Sequence, residues 1–420
     1  MRKFYTFCLS ILLLSCLSES NVDPGSSATF IRYYNGGNND ESKALEIASD
    51  GGFIIAATTT IKKTDADIAR TKIKLIKTDK SGNPLWQQLY PAFGVDSLDY
   101  TASSIQVNPA GGYVIIGDVI DSKKQGATVN TFPGVSRGLV LLVDDAGLNP
   151  KTLSLQFTPG LAQKGKAVAI DANGNILALS TQGTQTMILT RISTVDTISN
   201  AYTGGATTLA NKLLIDNAGK AVWSGTATAS GLTGVRLLRT IPTSPTVDFD
   251  LLLNEPGYSL SGFDFCKYGL GYAIAGATNQ KPGGGPASTD TDILFYLTTA
   301  DGQTSRVTSF PFDDPTTPQN EDNQIDAGNA ITSTLDGGLI FLSSVNSAAI
   351  EGRGDSDFYL IKIDAFGNKI WTSSFGSKFK DDAVAIRQLS DGSYVALGTT
   401  TQGSLKILTL FKTNGNGKID

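Results

Sequence analysis

Carboxylates are the only side chains in this sequence that recur at a spacing with chemical meaning. Three stretches end in Asp-x-Asp: Asp65/Asp67, Asp290/Asp292 and Asp355/Asp357. Asp381 and Asp382 form an adjacent pair, and Asp313, Asp314, Glu321 and Asp322 a looser group. Oxygen-rich clusters of this kind suit a hard cation such as Ca²⁺, or a basic or hydroxylated ligand. Two carboxylates flanking a sugar linkage could also divide acid and base roles in glycoside cleavage. No single pair stands out for that task, so no catalytic residue is assigned. The competing reading is mechanical. Asp side chains cap turns and start strands, and recurrence at one repeated position favours that use. Asp65, Asp67, Asp290, Asp292, Asp355, Asp357, Asp381 and Asp382 therefore stand as candidate ligand or cation positions and nothing stronger. The chain has no histidine. That removes Ser-His-Asp and Cys-His nucleophiles and every His-ligated metal site. No cofactor is expected.

Cysteine adds one modification site. Cys8 and Cys16 lie near the N-terminus and Cys266 far from it, so no disulfide framework is available. Cys266 sits among apolar and aromatic residues (FDFCKYGLGY) and reads as a structural thiol. Arg2 and Lys3 precede a short apolar run, Phe4 to Leu14, too short for a stable membrane span and suited to an export signal. The run ends in Leu13-Leu14-Ser15-Cys16. This resembles the lipobox of bacterial lipoproteins, which implies cleavage before Cys16 and lipid attachment to it. Residues 1–15 are then a signal peptide, 16–27 a polar tether, and 28–420 the folded domain. The implied address is the cell envelope, with the protein anchored to the outer membrane on either side.

The elements that position the carboxylates are repeats. Ile73 to Trp86 reads IKLIKTDKSGNPLW, and Tyr359 to Trp371 reads YLIKIDAFGNKIW. A second phrase accompanies them: SDGGFIIAA, PAGGYVIIG, ANGNILALS, NAGKAVWSG, GLGYAIAG, LDGGLIFLS and SDGSYVALG. Each is a tight turn needing positive φ, followed by a short and nearly continuous apolar run. Such a run fits a strand covered on both faces. Seven further strands follow these (IKLIKTD, GLVLLVDD, MILTRIS, VRLLRTI, DILFYLTT, FYLIKID, LKILTLFKT). The count predicts an all-β, seven-bladed propeller of four-stranded blades. The chain stops one strand short at its end. Residues 28–37 (ATFIRYYNGG) look like the missing outer strand, so the N-terminal strand is expected to complete the last blade and close the ring. The tail TNGNGKID resembles a calcium loop superficially, but it lacks the acidic twelfth position and aligns with KTDKSGN as an ordinary turn.

These repeats resemble the SBBP-like β-propeller repeats of bacterial exported proteins, carried best by KAVAIDANGNILALST and DAVAIRQLSDGSYVALGTT. That resemblance implies a propeller with a binding or scaffolding role and no catalytic residues. The Asp79 to Trp86 portion also resembles quinoprotein propeller repeats, without the Ala and Thr-Gly elements usual before the Trp.

Function is expected on one face. In a four-stranded blade, turns A–B and C–D share one face and loops B–C and D–A the other. The first set is short throughout. The second includes the long stretches TTIKKTDADIARTK, DSKKQGATVNTFPGVSRG, NQKPGGGPASTDTD and FPFDDPTTPQNEDNQIDA. Long loops on a rigid scaffold usually carry binding. The expectation is a non-enzymatic, monomeric binding or scaffold module for an envelope protein or glycan. The alternative is an exported polysaccharide hydrolase or lyase using rim carboxylates. A formal charge of −5 argues against nucleic acid.

Overall fold

The computed structural model describes residues 28–419 except 63–68, 92–97, 121–134, 156–159, 184–185, 205–207, 230, 244–245, 281–290, 311–325 and 347–353. The described residues form seven four-stranded antiparallel sheets and no helix. Blades one to six span 39–90, 99–154, 163–204, 208–253, 260–310 and 327–375. Blade seven takes three strands from 380–413 and its outer strand from Phe30–Tyr34. That strand pairs with Leu405–Thr413 from Phe30↔Lys412 to Tyr34↔Leu408. The seven blades and the closing strand expected from the repeats are both present.

The core is not central but distributed. Seven hydrophobic clusters occupy the seven blade boundaries. Ile54, Leu75, Ile115 and Leu141 are among those joining blade one to blade two. Phe53, Val395 and Leu408 help join blade seven to blade one. The same arrangement continues round the ring. Strands B and C are therefore buried on both faces, which explains their unbroken apolar text. Outer strands turn largely toward solvent, as in Val247–Leu253.

The repeated phrases resolve into turns and clasps. In the C–D turn of blade one, Asp79 N–H donates to Asn83 O (2.9 Å) and Gly82 N–H to Asp79 O (3.2 Å). The Asp79 carboxylate accepts the N–H groups of Ser81 and Asn83, both at 2.8 Å. Asp144, Asp364 and Asn414 repeat this side-chain cap. The tail is thus a C–D turn. Gly82, at φ +75°, supplies the left-handed residue. The outer strand of each preceding blade then packs on such a glycine: Phe30 over Gly82, Trp86 over Gly147, Phe249 over Gly302 and Trp371 over Gly417. The Lys of the third strand reaches back under the A–B turn. Lys77 meets Asp50 at 2.7 Å, Lys362 meets Asp336 at 2.9 Å and Lys412 meets Asp391 at 3.4 Å. Asp, Gly, Lys and Trp of the doubled phrase are all structural.

Candidate functional site

The sequence-derived carboxylates scatter. Cys16, Asp65, Asp67 and Asp290 lie outside the described residues, as do Asp313, Asp314, Glu321 and Asp322. Asp292 opens strand Asp292–Thr298 of blade five. Asp355 is exposed, just before strand Ser356–Ile363 of blade six. Asp382 is partly exposed and pairs with Lys380 at 2.8 Å. Asp357 and Asp381 are buried. Asp381 accepts the Ser377 N–H (3.0 Å) and the Thr400 hydroxyl. Burial raises its pKa, the Thr400 and Ser377 hydrogen bonds pull the other way, and Asp357 across the boundary adds to the rise. A side chain at Gly376 would collide with the Asp357 carboxylate. The structure therefore brings Asp357 and Asp381 together inside the blade six–seven boundary and leaves Asp355 and Asp382 at the surface. Among the described residues, no group of three acidic or Cys side chains is placed to hold a metal.

A different constellation lies on the axis. The innermost strand of every blade carries a β-bulge at the same place. The extra residues are Lys43, Ser103, Lys166, Asn211, Phe263, Asn329 and Val384, and all seven line one central cavity of 140 Å³. A bulge leaves one residue outside the ladder and re-aims its side chain. Here seven bulges make a ring of side chains about the axis. The residue before each bulge is small: Ser42, Ala102, Gly165, Ala210, Gly262, Gly328 or Ala383. Five of these seven donate their backbone N–H to the preceding blade. Ser42 donates to Thr399 (3.0 Å), Ala102 to Thr58 (3.1 Å), Ala210 to Thr181 (3.0 Å), Ala383 to Ser344 (2.8 Å) and Gly165 to Asp118 (2.6 Å). Four acceptors are hydroxyls, and one is a carboxylate.

The cavity is cationic. Lys43, Lys166, Lys212 and Arg387 line it against only Glu46 and Asp264. Arg387 grips Glu46 through two nitrogens, at 2.6 and 3.2 Å, and Gln106 donates to the same carboxylate at 3.2 Å. Burial opposes the Arg387 charge, but Glu46 more than restores it, so its pKa rises. Lys212 pairs with Asp264 at 3.1 Å, and Asp264 also accepts the Ile331 N–H at 3.1 Å. Lys43 is held by Glu41, two residues back along its strand. Lys166 sits beside Asp118. Burial lowers its pKa, Asp118 works against that, and Lys164 and Lys43 add to it. Both lining carboxylates are committed to cations, so neither is free to act as a general acid or base.

The two faces also differ as the loop lengths suggested. Six of the A–B turns and six of the C–D turns repeat the five-residue geometry of Asp79–Asn83 or its close variant. On the opposite face the B–C connections span 62–69, 121–135, 279–291 and 347–355 in blades one, two, five and six. They shrink to hairpins in blades three, four and seven, where strands end at Gln182, Ala229 and Gln402 and resume at Thr186, Leu232 and Leu405. The longer connections thus belong to blades one, two, five and six, and the short ones to blades three, four and seven.

No family model and no curated protein matches the chain. Among solved structures, the polysaccharide lyase Uly1 is 10% identical, with a TM-score of 0.52 over 89% of this chain and 90% of that one. A virginiamycin B lyase from Staphylococcus aureus is 11% identical, with a TM-score of 0.49 over 91% and 99%. The NanB sialidase from Streptococcus pneumoniae is 10% identical, with a TM-score of 0.46 over 93% and 69%. At these identities the likeness is one of propeller fold alone.

Proposed function

We propose that the chain is a cell-envelope lipoprotein, anchored to the outer membrane through lipid on Cys16, whose propeller binds or scaffolds an envelope protein or glycan without catalysis. The observation carrying this reading is the division of the ring into a face of tight turns and a face of long loops. Strand Phe30–Tyr34 runs from the turn face toward the loop face, because it follows a C–D turn position in the blade. A lipid anchor preceding Phe30 would hold the turn face toward the membrane and present the long loops outward. The axial cavity supports binding over hydrolysis, since its two carboxylates are tied up in ion pairs. Two assays test the reading: a glycan array and envelope-protein capture with the domain 28–420, each repeated after 121–134 and 281–290 are replaced by short Gly-Ser turns. Loss of binding with an unchanged melting curve is expected. Release of sugar product that one Asp→Asn change abolishes would replace this reading with the polysaccharide-active one. Labelled-lipid incorporation should vanish in Cys16→Ala, and retained labelling would refute the anchor.

A further inference from the structure

We propose that the axial cavity binds a small oxyanion, a carboxylate or a phosphate-sized group, with Lys166 as its charge partner. Asn329, Ser103 and Ser104 would supply further hydrogen bonds. The cavity wall is uneven in its hydrogen-bonding groups. Its acceptors are already used: Glu46 by Arg387 and Gln106, and Asp264 by Lys212 and two backbone N–H groups. Its donors are not. Among the described residues, Lys166 has no carboxylate within ion-pair distance and makes no hydrogen bond. The neighbouring Asp118 is engaged by the Gly165 N–H and the Thr101 hydroxyl. The Asn329 carbonyl oxygen accepts the Ser344 N–H at 2.8 Å, which fixes the amide and leaves its NH₂ for the cavity. Ser103 and Ser104 line the same space. A wall rich in donors and short of acceptors fits a ligand that only accepts.

Charge and size agree. The protein is acidic, at −5, yet four cations and two carboxylates meet on its axis. The overall negative charge opposes an anion, so its binding would rest on these local contacts alone. The seven bulges turn one side chain per blade toward the axis, which gathers these groups in one place. A cavity of about 150 Å³ accepts a benzene-sized molecule, so one of 140 Å³ is on the scale of a carboxylate or phosphate carrying a small body. Lys166 is held below the usual lysine range by burial, with Lys43 and Lys164 adding to the shift. An anion beside it would relieve that cost.

The test is calorimetric titration of the domain 28–420 at fixed ionic strength and pH 7.5, using acetate, D-glucuronate and inorganic phosphate as probes. One saturable site per chain is expected for at least one probe. Lys166→Gln should weaken it about tenfold or more, as loss of a charge-assisted hydrogen bond does. Asn329→Ala, which leaves every charge in place, should weaken it severalfold. Asp382→Asn, at the surface, should change nothing. Acetate binding as well as glucuronate means that the carboxylate alone is read, whereas a glucuronate preference assigns the site to acidic sugars. A phosphate preference assigns it to free or esterified phosphate. No saturation by any probe below about 10 mM, or an affinity indifferent to both Lys166→Gln and Asn329→Ala, would overturn the proposal. The titration needs neither lipid nor partner. Its failure therefore leaves the long-loop reading standing, and failure of that reading leaves the cavity untouched.

Discussion

Asp118 stands where other blades use a hydroxyl, and replacing it should make the protein more stable at neutral pH. Thr58, Thr181, Ser344 and Thr399 each accept a backbone N–H from the next blade, while Asp118 accepts that of Gly165. The Asp118 carboxyl is buried, and burial raises its pKa from 3.8 to about 6 despite the Gly165 hydrogen bond and the nearby Lys166 and Lys164. The unfolded chain ionises near 3.9. Between those values the folded state holds more protons, so stability falls as pH rises through the window and levels off above it. Two pKa units correspond to about 3 kcal/mol, an upper bound once water penetration is allowed for. Asp118→Thr keeps an acceptor for Gly165 and removes the ionisation. It should stabilise the protein by about 1–3 kcal/mol at pH 7.5 and be nearly neutral at pH 4. Urea unfolding of both proteins from pH 4 to 8 measures this, because groups other than Asp118 and the lysines beside it, Lys166 and Lys164, cancel in the difference. A difference that stays flat with pH, or a variant less stable at pH 7.5, would refute the assignment of a strained carboxylate.

Three further outcomes follow from the clasps and the closure. Gly417→Ala places a methyl group against the Trp371 ring, while Gly392→Ala, at a similar positive φ, meets nothing within 4 Å. The first should cost about 1–3 kcal/mol more than the second, and equal losses in thermal melts would dismiss the Trp clasp. Asp336, held down to about 2 by its Thr334 and Lys362 contacts against the cost of burial, lends stability above its unfolded pKa that fades as pH falls through its folded one. Asp336→Asn strands the buried Lys362, so it should destabilise more than Lys362→Met at pH 7, and the reverse order would contradict this. Deleting residues 1–35 exposes strand Leu405–Thr413 as an open edge. Size-exclusion chromatography should then show a larger species than the intact domain gives, and an unchanged association state would argue against the ring clasp.

The blades were legible because their signals are local. A turn glycine such as Gly82 and an apolar run such as Phe53–Ile61 declare themselves within ten residues. The closing strand was legible because Phe30–Tyr34 matches an outer strand and nothing else near the C-terminus supplies one. The axial cavity was not legible. A bulge inserts one residue without changing strand composition, so Lys166 reads as an ordinary strand lysine. The signal that locates it is the small residue before each bulge, from Ser42 to Ala383, repeated once per blade. The carboxylates divide between core and surface because burial is not spaced in sequence. Asp355 and Asp357 sit two residues apart, one exposed and the other fully buried.

The closing strand has a mechanical meaning. It enters at the turn face, and the long loops lie on the other. If the chain is held by the segment before Phe30 while a partner pulls on the loops, the load runs along the strand axis. Its five residue pairs with Leu405–Thr413 are then sheared together and do not peel one by one. Tyr34, whose hydroxyl donates to Gly82 O at 2.8 Å, and Phe30, packed on the same glycine, pin that strand to blade one as well. The joint that completes the ring would also be the one that bears tension.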